Sequence, residues 1–453
     1  MKQRGRRDSR RPSKAQGRPM AQRPARPVRE DLVTQACLEA YGAVRHEGRL
    51  ADRALEFTLR HKRMLYSNER RAVAERVYGL LRRERLIDFL LAQAHRGFEA
   101  LPATRKDLLR LVAARELMGE HPDVTVLPTE DRQVPGRLEG ARAALERLPV
   151  AERFAVEASL PDWLGRRFER ELGDEAARGA AAMNQRAPLT ARVNALKGDR
   201  PALQERLAAE KVTTRTTPLS PLGLFLDDRI NAFTLQTFRE GYFELQDEGS
   251  QLLGLLVDAP PTRVVDACAG AGGKSLQLAA QMKNRGELYA FDIDPRRLEE
   301  LKLRARRDGV HNVRIHLLPN VPDLQGKADR VLVDAPCTGT GTLRRKPDAR
   351  YRLKEESVAE YAAKQRALLD QFAPMVKPGG RLVYGTCSIL REENEDVVAA
   401  FLSSHPDFEV MPAQEVLGPE LGPQVTRGGF LRTYPHQHGT DGFFGAVLRR
   451  RKA

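Results

Sequence analysis

The run Arg330-Val-Leu-Val-Asp334-Ala-Pro-Cys337-Thr-Gly-Thr-Gly-Thr-Leu-Arg-Arg-Lys-Pro-Asp348 decides how this chain is read. It opens as a short apolar strand and ends in a carboxylate, a proline, a thiol and a glycine-rich basic loop. Leu382-Val-Tyr-Gly-Thr386-Cys387-Ser388 repeats the plan, with a second thiol closing a second apolar run. In an open α/β sheet, ligands bind at the carboxyl ends of the strands, so both thiols are expected at one edge of one sheet. Either cysteine alone reads as an inert core thiol. Two of them at strand ends, one after Asp-Ala-Pro and one inside Thr-Cys-Ser, read as chemistry.

Working outward, strands and helices alternate on both sides of these runs, as in a mostly parallel sheet covered by helices. Strands are predicted over 263–266, 288–292, 313–317, 328–333, 381–384 and 442–448, with helices over 274–282, 295–307 and 356–372. Asp266-Ala-Cys268-Ala269-Gly270-Ala271-Gly272-Gly273-Lys274 follows the first strand and opens a helix. Glycines there let the backbone approach a ligand, and the helix start offers free N–H groups. Asp292 ends the next strand, where an acidic side chain can accept both hydroxyls of a ribose. The pairing indicates a nucleoside-bearing cofactor. NAD and S-adenosylmethionine both fit it, and the string Gly272-Gly-Lys-Ser275 also admits phosphate.

The thiols separate these options. Cytosine C5 is too poor a nucleophile to take a sulfonium methyl unaided, but a thiolate added at C6 makes C5 enamine-like. Asp334 is placed to hold N3 and the exocyclic amine, and a second thiol can assist the closing elimination. The attacking thiol must ionise well below its ordinary pKa of about 8.5, and Arg344, Arg345 and Lys346 are candidates for that activation.

The rest of the chain supplies context. Of a net charge of +15, Met1–Arg29 carries +10, eleven basic residues against one aspartate. A polyanionic partner is expected. Residues 1–28 show no apolar period and are expected to form a disordered basic arm. Apolar stripes at helical spacing (Leu32 to Tyr41, Leu55 and Leu59, Val73 to Leu90, Leu108 to Leu117) predict an all-helical domain over 29–150, with Ser67 or Asn68 capping the third helix and a loop over 121–140. Cys37 falls within the first stripe as a core thiol. A small α/β module is expected over 151–240, with strands at 190–194, 222–226 and 234–238 and a helix at 200–210, followed by the α/β domain over 241–453. No apolar run approaches the ~18–20 residues of a membrane span, and a cytoplasmic protein is expected. The four cysteines and nine histidines show no metal-ligand spacing, so no metal is expected.

These motifs resemble the Sun-type (Fmu-type) RNA cytosine-C5 methyltransferases from about Pro161 to the C-terminus. The resemblance implies a class I, Rossmann-like methyltransferase domain, with Cys387 as nucleophile and Cys337 as the releasing thiol. It assigns S-adenosylmethionine to Cys268, Ala269, Gly270, Ala271, Gly272, Gly273 and Lys274, its ribose to Asp292 and its adenine to Asn320, and sets Asp334 beside cofactor and base. Arg192-Val-Asn194, Gln246-Asp247, Gly379-Gly380 and Asp441-Gly-Phe-Phe444 also look like family positions. The N-terminal helices, with Val77-Tyr-Gly-Leu-Leu-Arg-Arg83, resemble a NusB-type RNA-binding domain. That arrangement is similar to the branch acting on 16S ribosomal RNA, which implies an unassembled small-subunit RNA as partner of a monomeric enzyme.

Two departures stand out. Ala271 replaces the family's usual proline and Asn320 its adenine-contacting aspartate, so weakened cofactor affinity is expected. Three other readings stay open. One is a non-catalytic RNA-binding assembly factor with a degenerate cofactor site, another a family member acting on tRNA or 23S rRNA. The third is a DNA cytosine methyltransferase, in which the roles of Cys337 and Cys387 would be exchanged.

Overall fold

A computed structural model describes residues 27–226 and 230–452. The expectation of a disordered arm over 1–28 therefore lies almost wholly outside the described residues.

The N-terminal part is helical: α1 (Glu30–Arg45), α2 (Ala51–His61), α3 (Ser67–Ala94) and α4 (Ala103–Leu117). Their apolar stripes meet in one core, where Val33, Cys37, Val73, Val77, Leu80, Leu90 and Leu111 are buried. Helix α3 begins at Ser67 with Tyr66 as its cap, one residue earlier than expected, because the Glu69 carboxylate reaches back to the Tyr66 N–H at 2.8 Å. Residues 121–140 are not a featureless loop. They wind through three 3₁₀ turns and into the helical turn Leu138–Ala141.

A four-stranded antiparallel sheet follows, formed by β1 (Thr190–Val193), β2 (Thr214–Thr216), β3 (Gly223–Leu226) and β4 (Phe243–Leu245) in the order β2-β3-β1-β4. The strand expected over 234–238 is a 3₁₀ turn (Ala232–Thr234) followed by a helical turn (Gln236–Arg239). Two side chains impose it. Asn231 accepts from the Phe233 N–H, and the Glu210 carboxylate accepts from the N–H groups of Gln236 and Thr237 at 2.7 and 2.9 Å.

The largest sheet has nine strands: β5 (Arg263–Asp266), β6 (Glu287–Asp292), β7 (Val313–Leu317), β8 (Ala328–Asp334), β9 (Val376–Thr386), β10 (Phe408–Met411), β11 (Thr426–Arg427), β12 (Phe430–Thr433) and β13 (Phe443–Arg450). Strands β9-β8-β5-β6-β7 run parallel in that order, and β13 joins β9 antiparallel. Period-2 alternation fills both faces: Val264, Leu332, Val383 and Val447 pack on one side, Val265, Val333, Leu382, Tyr384 and Leu448 on the other. The chain order reverses between β5 and β8. The crevice beyond their carboxyl ends is where such a sheet binds ligands.

Candidate active site

Strand β5 ends at Asp266 and β8 at Asp334, next to each other across the reversal, while β9 ends one residue before Cys387. The structure brings the two thiols together, with Sγ of Cys337 and Sγ of Cys387 3.3 Å apart. Both are free and half-buried. Gly341 sets this approach. Its N–H donates to the Cys387 carbonyl at 2.9 Å, its own carbonyl accepts from Gly442 at 2.9 Å, and a Cβ there would sit 2.1 Å from the Gly442 oxygen.

The pair is electrostatically asymmetric. The Cys387 thiol is held below its ordinary value by the hydrogen bond from Cys337, against burial and the Asp334 charge, with Lys274 and Lys346 assisting. Cys337 is pushed well up by that same bond, by burial and by the Glu393 charge. These directions make Cys387 the more acidic of the two thiols and Cys337 the more basic. Arg344 and Arg345, expected as activators, are engaged elsewhere. Arg344 donates to Asp441 at 2.5 Å, and Arg345 bonds Asp441 and, at 2.7 Å, Asp247. That buried cluster ties the basic loop to 247 and 441 and leaves Lys346 as the loop's cation acting on Cys387.

Lys274 sits at the junction of loop and thiols. Its Nζ donates to Oδ2 of Asp334 at 2.6 Å, with both side chains mostly buried. The other loop residues surround a space at the helix start. A Cβ at Gly270 or Gly273 would meet nothing within 4 Å, whereas Gly272, at φ +92°, packs so tightly that a Cβ would lie 2.2 Å from Leu301. Beneath the loop, Asp266 accepts from Ser275 at 2.7 Å, and its other carboxylate oxygen is buried without a partner. Burial lifts its pKa to about 6. Asp292 accepts from the N–H groups of Gly270 and Asp294, both at 2.8 Å, and so fixes the loop's entrance. An open glycine face, a helix start and an unpartnered buried acceptor fit a polar nucleoside-bearing ligand. Burial and the nearby carboxylates of Asp266, Asp334 and Asp292 push the Cys268 thiol up, which disfavours its thiolate. Asn320 is exposed, three residues past the end of β7. Cys37 lies in the helical core, its pKa pushed up to about 12 by burial.

Arg192 falls at one of the family positions, and several further contributors carry no signal in the sequence. Arg304 Nη1 donates to the Ala271 carbonyl at 2.7 Å and Arg192 Nη1 to the Gly273 carbonyl at 2.6 Å. Two guanidiniums thus pin the loop that lacks the usual proline. Glu393, fully buried, joins the segments after both thiols. The helical part reaches the site as well: Arg350 Nη1 donates to the Arg82 carbonyl at 2.9 Å and to Asn184 at 2.8 Å, and Tyr351 donates to the Leu81 carbonyl at 2.8 Å. Sequence could have flagged Glu393 only through its position just past Thr386-Cys387-Ser388.

The strand order, the glycine loop after β5 and the acid ending β6 define a Rossmann-like methyltransferase domain. Residues 255–449 match the family model described as 16S rRNA methyltransferase RsmB/F, and residues 160–232 match the RsmF/B-like ferredoxin-like domain. The chain is 33% identical over 419 residues to a probable ribosomal RNA small subunit methyltransferase B of Bacillus subtilis, covering 86% of this chain and 94% of that one. It is 37% identical over 381 residues to the ribosomal RNA small subunit methyltransferase B of Thermus thermophilus, covering 83% and 87%. The solved structure of PH0851 superposes with a TM-score of 0.76 at 29% identity, covering 92% of this chain and 98% of that one. This chain belongs to the RsmB/F family of ribosomal RNA methyltransferases.

Proposed function

We propose that this chain methylates C5 of a cytosine in 16S ribosomal RNA before subunit assembly, through a covalent bond between Cys387 and C6 of the ring. The observation that carries the reading is the 3.3 Å approach of two free thiols beside the Lys274–Asp334 pair. The B. subtilis and T. thermophilus relatives support the choice of RNA. When bound, S-adenosylmethionine supplies the methyl group that C5 accepts. The loop from Cys268 to Lys274, Asp292 and Asn320 would hold it.

The residues divide the remaining work. Cys387, as thiolate, bonds C6 and sends the C5–C6 electron pair toward C5, while N3 takes up a proton with Asp334 as its hydrogen-bond partner. Once Cys387 is a thioether, the charge that opposed ionisation of Cys337 is gone. Cys337 then gives up one proton, balancing the one gained at N3. As thiolate it takes the proton from methylated C5, the C5–C6 double bond re-forms, Cys387 leaves as thiolate, and N3 releases its proton. Only one sulfur is charged at a time.

The helical domain over 29–150 and the basic arm over 1–28 would grip the RNA, the former as a NusB-like module. Because a stacked base cannot reach the thiols, the target is a loop or an unfolded segment. The test uses two variants with RNA and S-adenosylmethionine. Cys387→Ala is expected to abolish turnover, and Cys337→Ala to leave protein covalently attached to RNA on a denaturing gel. Turnover by Cys387→Ala, or no retarded band with Cys337→Ala, overturns the assignment.

A further inference from the structure

We propose that Glu393 is the positioning residue of the thiol pair, its buried carboxylate clamping the segment after Cys337 to the segment after Cys387 and setting a negative charge on the Cys337 side. The inference rests on the two-thiol reading above.

The geometry is a complete acceptor set. Oε1 accepts from the Thr338 N–H at 2.8 Å and from Gln365 Nε2 at 3.2 Å, while Oε2 accepts from the hydroxyls of Thr338 and Ser388. Thr338 directly follows Cys337, and Ser388 directly follows Cys387. The same Ser388 hydroxyl accepts from the Leu390 N–H at 3.1 Å and lies 3.0 Å from Thr340 Oγ1, which accepts from the Ile389 N–H at 3.1 Å. Gln365 also donates to the Pro336 carbonyl at 3.0 Å, and Tyr384 donates to the Glu393 carbonyl. The Glu393 and Gln365 bonds converge on Pro336, Thr338 and Ser388, residues that flank the two sulfurs.

Four donors and, among the described residues, no basic partner fit an ionised carboxylate held by hydrogen bonds. Burial opposes that ionisation and pushes the carboxyl above its ordinary range, and the donated bonds pull it back. The charged groups around the sulfurs fall on two sides. Glu393 and the buried Tyr384 hydroxyl face Cys337, while Asp334, Lys274 and Lys346 face Cys387. A negative charge on the Cys337 side makes that sulfur the stronger base of the two. The releasing thiol needs that basicity to take the proton from C5.

Two variants of the full chain test this, with iodoacetamide labelling read by mass spectrometry and single-turnover kinetics on RNA. The wild-type protein is expected to label at Cys387 alone near pH 8. Glu393→Gln removes the charge and keeps the shape. It is expected to label Cys337 at least about tenfold faster, to lower kcat with KM for RNA unchanged, and to accumulate the covalent RNA adduct. Glu393→Asp keeps the charge but is too short to span both segments, and is expected to lower kcat while preserving single-site labelling; it carries the test if the glutamine variant does not fold. Wild-type labelling at Cys387 alone together with unchanged Glu393→Gln labelling and kcat overturns the role of Glu393. Absence of any preferential Cys387 labelling in the wild type instead overturns the two-thiol reading beneath it.

Discussion

Replacing Lys274 by methionine isolates the electrostatics of the site. The ammonium lies 2.6 Å from Asp334, and both side chains are mostly buried, at 11% and 27% exposure. In an effective dielectric near 20 the gross attraction at that separation is about 6 kcal/mol. Desolvation cancels much of it, leaving roughly 1–2 kcal/mol. Without the ammonium, Asp334 faces Cys387 unneutralised, and its negative charge opposes the thiolate. Loss of the ammonium's attraction for the Cys387 thiolate is expected to raise that thiol by about one pH unit, worth about 1.4 kcal/mol. Thiolate is the reactive form, so a raised pKa moves the ascending limb of the pH profile upward. Single-turnover kcat/KM is therefore expected to fall about tenfold near pH 7 and to approach the wild-type value above about pH 9. Iodoacetamide labelling of Cys387 should shift by the same amount without RNA or cofactor. A Lys274→Met profile whose limb stays in place, in either assay, refutes the assignment of Lys274 as the cation that balances Asp334 beside the nucleophile.

Arg304→Ala removes the charged hydrogen bond to the Ala271 carbonyl together with the ion pair to buried Glu244, and is expected to weaken S-adenosylmethionine binding about five- to tenfold by calorimetric titration, with the RNA affinity unchanged. Arg350→Met strips the buried guanidinium from its carbonyl and amide acceptors; relief of charge burial offsets part of the loss, and a net cost of about 2–4 kcal/mol should appear as a lower Tm in thermal unfolding. Deleting residues 1–28 is expected to flatten the slope of log K against log salt for RNA binding, since fewer basic side chains then displace counterions from the phosphates.

The central parallel strands were legible because burial on both faces makes them continuous apolar runs, as in Val331–Val333 and Leu382–Tyr384. The edge elements were not. Strand β2 has three residues, Thr-Arg-Thr, mostly exposed, and nothing in that string distinguishes it from a loop. Residues 234–238 misled in the opposite direction, because their β-type composition yields to side-chain bonds from Asn231 and Glu210 that no window of sequence contains. The same limit applies at the site. Two cysteines at strand ends announce themselves by spacing, whereas Glu393 sits in Arg391-Glu-Glu-Asn-Glu-Asp396 and looks like part of a solvated charge run until its neighbours are known. Arg344 and Arg345 illustrate the converse. Basic residues beside a thiol suggest activation, yet Asp247 and Asp441, roughly a hundred residues away on either side, claim both of them.

The joint between α3 and the basic loop makes the two ends of this chain mechanically dependent. Arg350 and Tyr351 lie in the helical turn Ala349–Arg352 just after the loop that carries Cys337 and Lys346, yet their hydrogen bonds reach main-chain oxygens of Leu81 and Arg82 in helix α3. Cutting the chain before the methyl-transfer domain would strand a buried cation and a phenol at a raw surface. If the helices hold RNA as proposed, that hold would be coupled through this joint to the segment that carries Cys337.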